Sequence, residues 1–172
     1  MSTILKDLRY KIFSLGPLIL LYFLSVSEID TVFSNTFEIL SFNLQIIIIY
    51  YWVLKNPSIL GNGHIFFAGI INDVVMSLPL GISAITYLVV SFIAAYIRNV
   101  SVNVSLFSDW FTFVVAIFFS NILFLIMLNN FSDLIFTYTD LFYNSLFTFI
   151  FFPIFWAVFR TYGSFILVRK HD

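Results

Sequence analysis

The chain has 172 residues, a length that suggests one domain, and 61% of its residues are hydrophobic while only 10% are charged. A soluble domain carries about 25% charged residues because its surface faces water, so a water-soluble fold is excluded. The 24 phenylalanines exclude disorder, the net charge of −1 offers no basic surface for nucleic acid, and the absence of cysteine excludes disulfides and thiolate metal sites. We predict an all-α polytopic membrane protein in which residues 1–172 form a single membrane domain.

Six apolar stretches are candidate membrane spans, since a bilayer core takes about 20 mostly apolar residues, with about 17 as the usual minimum. In chain order they cover residues 12–27, 39–54, 58–76, 80–97, 110–128 and 141–159. Gly16-Pro17 interrupts the first stretch. The connections Lys55-Asn56-Pro57 and Ser77-Leu78-Pro79 are short, and their prolines stop a helix and favour a tight reversal. The sequence therefore predicts a compact bundle of six antiparallel transmembrane helices surrounded by membrane lipid.

The basic residues predict how this bundle is oriented, because cytoplasmic loops are enriched in Lys and Arg. With six spans, all eight basic residues fall on one side of the membrane: Lys6, Arg9, Lys11, Lys55, Arg98, Arg160, Arg169 and Lys170. Merging or losing one span breaks this one-sided distribution. We therefore predict six spans with both termini in the cytoplasm.

The first apolar stretch also has a second interpretation, as a signal peptide. A basic segment, an apolar run of about 15 residues and the small residues of Ser25-Val26-Ser27 are features of such peptides. The cleavage pattern is weak, and no alanine occurs before Ala68. We expect a retained first helix.

Asp73 is the one acidic residue inside a predicted span. A charged side chain deep in a span costs about 2.5–3.5 kcal/mol on insertion scales, so it normally faces protein or water. On a helical wheel, Gly61, Ala68 and Asn72 fall within about 40° of one another, and Gly69 and Asp73 lie beside them. Small residues let a second helix approach closely, so this pattern predicts that the third helix is central in the bundle.

Asp73 has two possible roles in this setting. It is either an ion or proton site, or a structural hydrogen-bonding residue near the extracytoplasmic end of its helix. A transport acid usually has a charged partner, and none is visible in another predicted span. We expect the structural role, and we expect Asp73→Asn to be tolerated because an amide also forms hydrogen bonds.

The other polar and aromatic residues offer no catalytic set. His64 has no second ligand at metal spacing nearby, and Ser108-Asp109 is a candidate cap for the fifth helix. Trp52, Trp110 and Trp156 lie near the assigned cytoplasmic ends and predict an interfacial aromatic belt. Amides and hydroxyls in the spans either line a small-molecule pocket or join helices, at about 0.6 kcal/mol per hydrogen bond, and we favour the second. We predict a protein that is not an enzyme and has no cofactor.

The stretch from Phe66 to Ile97, FFAGIINDVVMSLPLGISAITYLVVSFIAAYI, resembles the MreD family of rod-shape-determining membrane proteins. The family pattern is a glycine, three residues, an aspartate, a short turn of small or polar residues, and Pro-Leu-Gly at the start of the next helix. The matching residues here are Gly69, Asp73, Pro79, Leu80 and Gly81. Outside this motif, which covers about a fifth of the chain, the match is one of length, span number and topology.

The resemblance implies a non-enzymatic membrane scaffold in the bacterial cell-elongation complex, which directs peptidoglycan synthesis and cell shape from the cytoplasmic (inner) membrane. MreD-like proteins associate with the bitopic protein MreC. Through MreC they reach a class B penicillin-binding transpeptidase, the glycosyltransferase RodA and the actin-like MreB. The family is also similar in fold to the substrate-binding components of energy-coupling-factor vitamin transporters.

Two other functions are open at this stage. The first is a vitamin-binding component of such a transporter, but those components typically dock through an Ala-x-x-x-Ala motif in the first span, where this chain has no alanine. The second is an ion-coupled carrier, but 172 residues leave no room for inverted repeats, except in a dimer. We expect the scaffold.

Overall fold

A computed structural model of the chain describes residues 15–27, 43–100, 105–131 and 138–171, with side chains described as far as residue 164. All regular structure in these ranges is helical, which confirms the predicted all-α class. The six helices are α1 (Gly16–Val26), α2 (Leu44–Lys55), α3 (Asn62–Val75), α4 (Ile82–Val100), α5 (Leu106–Phe131) and α6 (Tyr138–His171).

Three of these helices are long and apolar enough to cross a membrane: Ile82–Val100, Leu106–Phe131 and, within α6, Tyr138–Ser164. They indicate a membrane protein. The helices α1, α2 and α3 have 11, 12 and 14 residues, which is less than a bilayer core requires. Residues 12–14 and 39–42, which belong to the first two predicted spans, lie outside the described residues. The number of six spans therefore stays a prediction.

The helix ends differ from the predicted spans where local capping decides them. Gly16-Pro17, which interrupts the first apolar stretch, lies at the start of α1, where proline in the first turn lacks only an N–H that has no partner inside the helix. Residues 57–60 form a turn, so α3 begins at Asn62 and not at residue 58. The cap of α5 is Ser105, whose hydroxyl oxygen accepts the N–H of Ser108 at 3.2 Å. The prediction that Ser108-Asp109 caps this helix is therefore wrong.

The central helix of the bundle is α2. Every residue from Ile46 to Leu54 is buried, and α1, α4, α5 and α6 all contact this helix. A helix that is apolar on all sides is expected in such a position. By contrast, α3 buries only Ile65, Ala68, Gly69 and Asp73. The prediction that the third helix is central is wrong, because its small residues cover one face only.

Aromatic rings fill the space between α2, α5 and α6. Phe113 of α5 stacks on Phe152 of α6 with ring centroids 4.3 Å apart, and the ring of Tyr50 lies 4.9 Å from that of Phe113. Further along, the rings of Tyr51 and Phe159 are 5.4 Å apart. These contacts form one side of the hydrophobic core and hold α6 beside α2.

The three tryptophans make contacts with neighbouring helices. Trp52 and Trp156 are buried. Trp110 is half-buried, stacks on Phe149 with centroids 4.9 Å apart, and donates its indole N–H to the carbonyl of Phe149 at 2.9 Å. Their interfacial position stays a prediction, while their side chains turn towards neighbouring helices.

The outer surfaces of α5 and α6 are strongly apolar. Large exposed side chains on the two helices include Phe107, Phe111, Phe118, Phe119, Ile122, Ile126, Phe142, Leu146, Ile150 and Ile154. Contiguous apolar surface of this extent is unfavourable in water. Its presence on two of the membrane-length helices agrees with a lipid environment.

Candidate functional site

The residues that carry the sequence motif meet at the hairpin between α3 and α4. Here α3 ends at Val75, α4 begins at Ile82, and a short turn reverses the chain between them. Gly69 and Asp73 belong to the last turns of α3, while Pro79, Leu80 and Gly81 lie in the connection. We call this unit, from Asn62 to Val100, the α3–α4 hairpin.

The end of α3 is closed by backbone hydrogen bonds around Ser77. The N–H of Leu78 donates to the carbonyl of Asp73 at 2.9 Å, and the N–H of Ser77 donates to the carbonyl of Val74 at 3.3 Å. This is the Schellman pattern, which normally has glycine in the left-handed position. Ser77 occupies that position with φ of 54°, a conformation that costs an L-residue about 1–2 kcal/mol. The turn is therefore held in one defined conformation.

The side chain of Asp73 caps the start of α4. Its Oδ2 accepts the N–H of Gly81 at 2.7 Å, and its Oδ1 accepts the N–H of Ser83 at 2.8 Å. These amides belong to the first turn of α4 and have no acceptor within the helix, and the helix dipole also favours a negative charge there. Asp73 itself is 0% exposed, so both carboxylate oxygens are satisfied inside the protein.

Gly69 allows the backbones of α3 and α4 to touch. A Cβ atom at this position would lie 2.3 Å from the Cα of Ala84 and 2.6 Å from its backbone nitrogen. Gly81 meets a different requirement, since its φ of 106° is rarely adopted by a residue with a side chain. The geometry therefore explains both glycines, one by space and the other by backbone conformation.

The last two motif residues have unequal roles. Pro79 lies in the turn with its φ restricted by the ring, and its carbonyl accepts the N–H of Ile82 at 3.4 Å. Leu80 follows it at the tip of the turn and is 70% exposed. Four of the five motif residues thus shape the hairpin, whereas Leu80 faces away from the bundle.

A network of polar side chains joins this hairpin to α2. Gln45 Nε2 donates to Asn72 Oδ1 at 3.0 Å, and Asn72 Nδ2 donates to Ser83 Oγ at 3.0 Å. Tyr87 completes the network by donating its hydroxyl to Gln45 Oε1 at 2.6 Å. The helical wheel places Asn72 on the small-residue stripe, but its partners could not be read from the sequence because they come from two other helices.

A second polar cluster lies at the opposite end of α2. Lys55 Nζ is 2.5 Å from Asp109 Oδ2, and the indole N–H of Trp156 donates to the same oxygen at 2.9 Å. Sequence analysis missed this ion pair because it places Lys55 in a connection and Asp109 ahead of the fifth span. The sequence does contain one indication of this ion pair, because Lys55 and Asp109 carry opposite charges and flank predicted spans on the same side of the membrane.

The other basic side chains that the structure describes lie at this same end. Arg98 Nη1 donates to the carbonyl of Val53 at 2.7 Å and so caps the end of α2. The guanidinium of Arg160 lies 5.0 Å from the centroid of the Trp156 ring. Together with Lys55 these arginines gather positive charge at one end of the bundle, which agrees with the one-sided distribution in the sequence.

His64 is not part of either cluster. It is exposed near the start of α3, and its Nδ1 lies 3.1 Å from the hydroxyl of Tyr22. Within the described ranges, no three His, Cys, Asp or Glu side chains are grouped so that they could hold a metal ion. Asp73 and Asp109, the buried acids among the described residues, form hydrogen bonds and an ion pair that join helices.

Comparison with known proteins identifies no relative. No protein-family model matches the chain, and neither a curated protein nor a solved structure matches it. The resemblance to the MreD family therefore stays a prediction carried by the residues of the α3–α4 hairpin.

Replacing Asp73 should weaken the α3–α4 hairpin in proportion to the acceptors removed. Asp73→Leu leaves two buried N–H groups without a partner, at about 1–3 kcal/mol each. Asp73→Asn keeps only one oxygen acceptor, so the expectation from sequence that this variant is tolerated needs correction: we expect an intermediate loss. Thermal unfolding in detergent measures the order, with Asp140→Asn as a control because Asp140 is exposed in the first turn of α6. Equal stability of Asp73→Leu and the parent would contradict the capping role.

Adding a single methyl group at Gly69 should force α3 and α4 apart. We expect Gly69→Ala to destabilise the protein, because the atoms in its way are the backbone of Ala84 and cannot rotate aside. Gly63→Ala is the matched control on the same helix, since nothing lies within 4 Å of a Cβ atom there. The control should be neutral, or stabilising by up to about 1 kcal/mol through helix propensity. The same unfolding measurement compares the two, and a Gly69→Ala protein as stable as Gly63→Ala would refute the close contact.

Proposed function

We propose that the protein is a non-enzymatic membrane scaffold of the MreD type, acting in the bacterial cell-elongation complex that directs peptidoglycan synthesis. The observation that supports this proposal is the convergence of Gly69, Asp73, Pro79 and Gly81 on one hairpin. Each residue meets a different physical requirement there: close approach, capping, a restricted turn and a positive φ. If the match to the family pattern arose by chance, the matching residues would not be expected to depend on one another in forming a single hairpin.

We also propose that the protein lies in the bacterial cytoplasmic membrane, spans it six times and has both termini in the cytoplasm. This proposal is supported by the position of Lys55, Arg98 and Arg160 at one end of the bundle, because positive charge is retained on the cytoplasmic side. The turn of the α3–α4 hairpin then lies on the extracytoplasmic side. A connection this short leaves space near the bilayer for the external domain of a partner.

The proposed mode of action is the holding of partners within the membrane. The two buried carboxylates are engaged in contacts between helices, and the outer surfaces of α5 and α6 are apolar. Contact with another membrane helix then depends on packing and polar pairing, since apolar area gains little when lipid is the alternative. The proposed direct partner is an MreC-like bitopic protein. Through it the scaffold would reach a class B penicillin-binding transpeptidase, RodA and MreB.

Cysteine labelling tests the proposed topology, and the chain has no native cysteine to interfere. Leu80→Cys places a thiol at the exposed tip of the hairpin turn, and we expect an impermeant maleimide to label it in intact cells. Ser58→Cys lies in the exposed turn before α3 and should be labelled only after permeabilisation. The reverse pattern would exclude cytoplasmic termini with six spans.

Purification from mild detergent tests the proposed function. We expect mass spectrometry to find the MreC-like protein with the tagged chain, and depletion of the chain to convert rod-shaped cells into round ones. Gly63→Ala should retain both properties, because this exposed position has free space around it. Normal rods after depletion, together with one vitamin molecule per purified chain, would reject the scaffold in favour of an energy-coupling-factor-type transporter component.

A further inference from the structure

Three helices meet at the carboxylate of Asp109: α5, which carries it, α2 through Lys55, and α6 through Trp156. We propose that this ion pair and its indole partner contribute to setting the register in which α5 and α6 pack against α2. The proposed role of the ion pair is to select one register of helix packing over others, and it does not depend on the proposed function.

The buried carboxylate of Asp109 restricts how its neighbouring helices can be arranged. Its side chain is 6% exposed, and a buried carboxylate is costly unless it is paired and hydrogen-bonded. Lys55 and Trp156 supply these contacts, and the position of Asp109 in the first turn of α5 adds the favourable helix dipole. Sliding either helix by one turn, about 5.4 Å, would separate the carboxylate from a donor.

The apolar contacts of α6 with α2 and α5 discriminate poorly between registers that differ by one helical turn. Phenylalanines recur along α6 at a spacing of about one turn. Phe155 lies one turn before Phe159, and Phe149 and Phe155 lie one turn on either side of Phe152. A one-turn shift would therefore replace one phenylalanine by another against α2 and α5. Because lipid is as apolar as these rings, the shift would also change the hydrophobic free energy little. Hydrogen bonds also join these helices, since the N–H of Asn43 donates to the Thr148 hydroxyl at 2.8 Å and the indole of Trp110 donates to the Phe149 carbonyl at 2.9 Å. The ion pair adds to this polar information, which the aromatic contacts lack.

The two charged side chains differ in exposure, so removing Lys55 should destabilise the protein by a different amount from removing Asp109. The side chain of Lys55 is 20% exposed, and its long stem can carry the ammonium to water if the acid is removed. Asp109 is short and less exposed, so removal of Lys55 leaves its charge stranded inside the bundle. Removal of both groups strands no charge, and buried ion pairs replaced in this way are often neutral in stability.

The first test compares Lys55→Met, Asp109→Leu and the double variant by unfolding in detergent. We expect Lys55→Met to lower the ratio of folded to unfolded protein by more than about tenfold, Asp109→Leu to lower it less, and the double variant to lie above Lys55→Met. Asp140→Leu is the control, because this acid is exposed in the first turn of α6 and so has a carboxylate that already faces solvent. A Lys55→Met protein as stable as the parent would overturn the proposal.

The second test reads the register directly by disulfide formation. Tyr51→Cys with Phe159→Cys joins positions whose rings face each other at 5.4 Å, and Tyr51→Cys with Phe155→Cys reports a shift of one turn. The parent background should strongly favour the first pair. In the Lys55→Met, Asp109→Leu background we expect the folded protein to form a larger share of the second disulfide than the parent does, although the hydrogen bond between Asn43 and Thr148 remains. If that background still favours the first pair as the parent does, packing sets the register and the proposal is wrong.

Discussion

The buried carboxylate of Asp73 is the interaction on which the α3–α4 hairpin depends. Polar groups buried inside a protein have no water within reach, so each buried N–H and carbonyl must find a partner within the protein. Asp73 satisfies two amides of α4 from the adjacent helix, and this is possible only because Gly69 lets the two backbones approach. The tight turn, the close contact and the cap therefore form one unit, and the amide network through Asn72 attaches that unit to α2.

The same requirement explains how a helix as short as α2 is accommodated at the centre. At its start, the side chain of Asn43 accepts the N–H of Ile46 at 3.0 Å, and the Thr148 hydroxyl accepts the N–H of Asn43 at 2.8 Å. At its end, Arg98 donates to a carbonyl of the last turn, the one belonging to Val53. Both ends of α2 are thus completed by side chains of neighbouring helices, so the helix does not need to reach water.

Composition and local pattern predicted the helical class and the approximate place of each helix, because both follow from apolar length and from prolines in the turns. They also singled out Gly69 and Asp73, since small and charged residues in an apolar helix need a protein neighbour. The central position of α2 and the pairing of Lys55 with Asp109 were not predictable in this way. They depend on which helices become neighbours, and no local pattern encodes contacts between residues so far apart in the chain. The inward orientation of Trp156 has the same origin, because its acceptor belongs to another helix.

The two buried acids differ in when their partners become available during synthesis of the chain. The partners of Asp73, the amides of Gly81 and Ser83, leave the ribosome within a few residues of it. The α3–α4 hairpin can therefore form with both oxygens of its carboxylate already hydrogen-bonded. Asp109 meets Lys55, which precedes it, but must wait for Trp156, which is made after about half of α6. The contacts of Asp109 and the hydrogen bond at the start of α2 are consequently completed together, and only once α6 has been made.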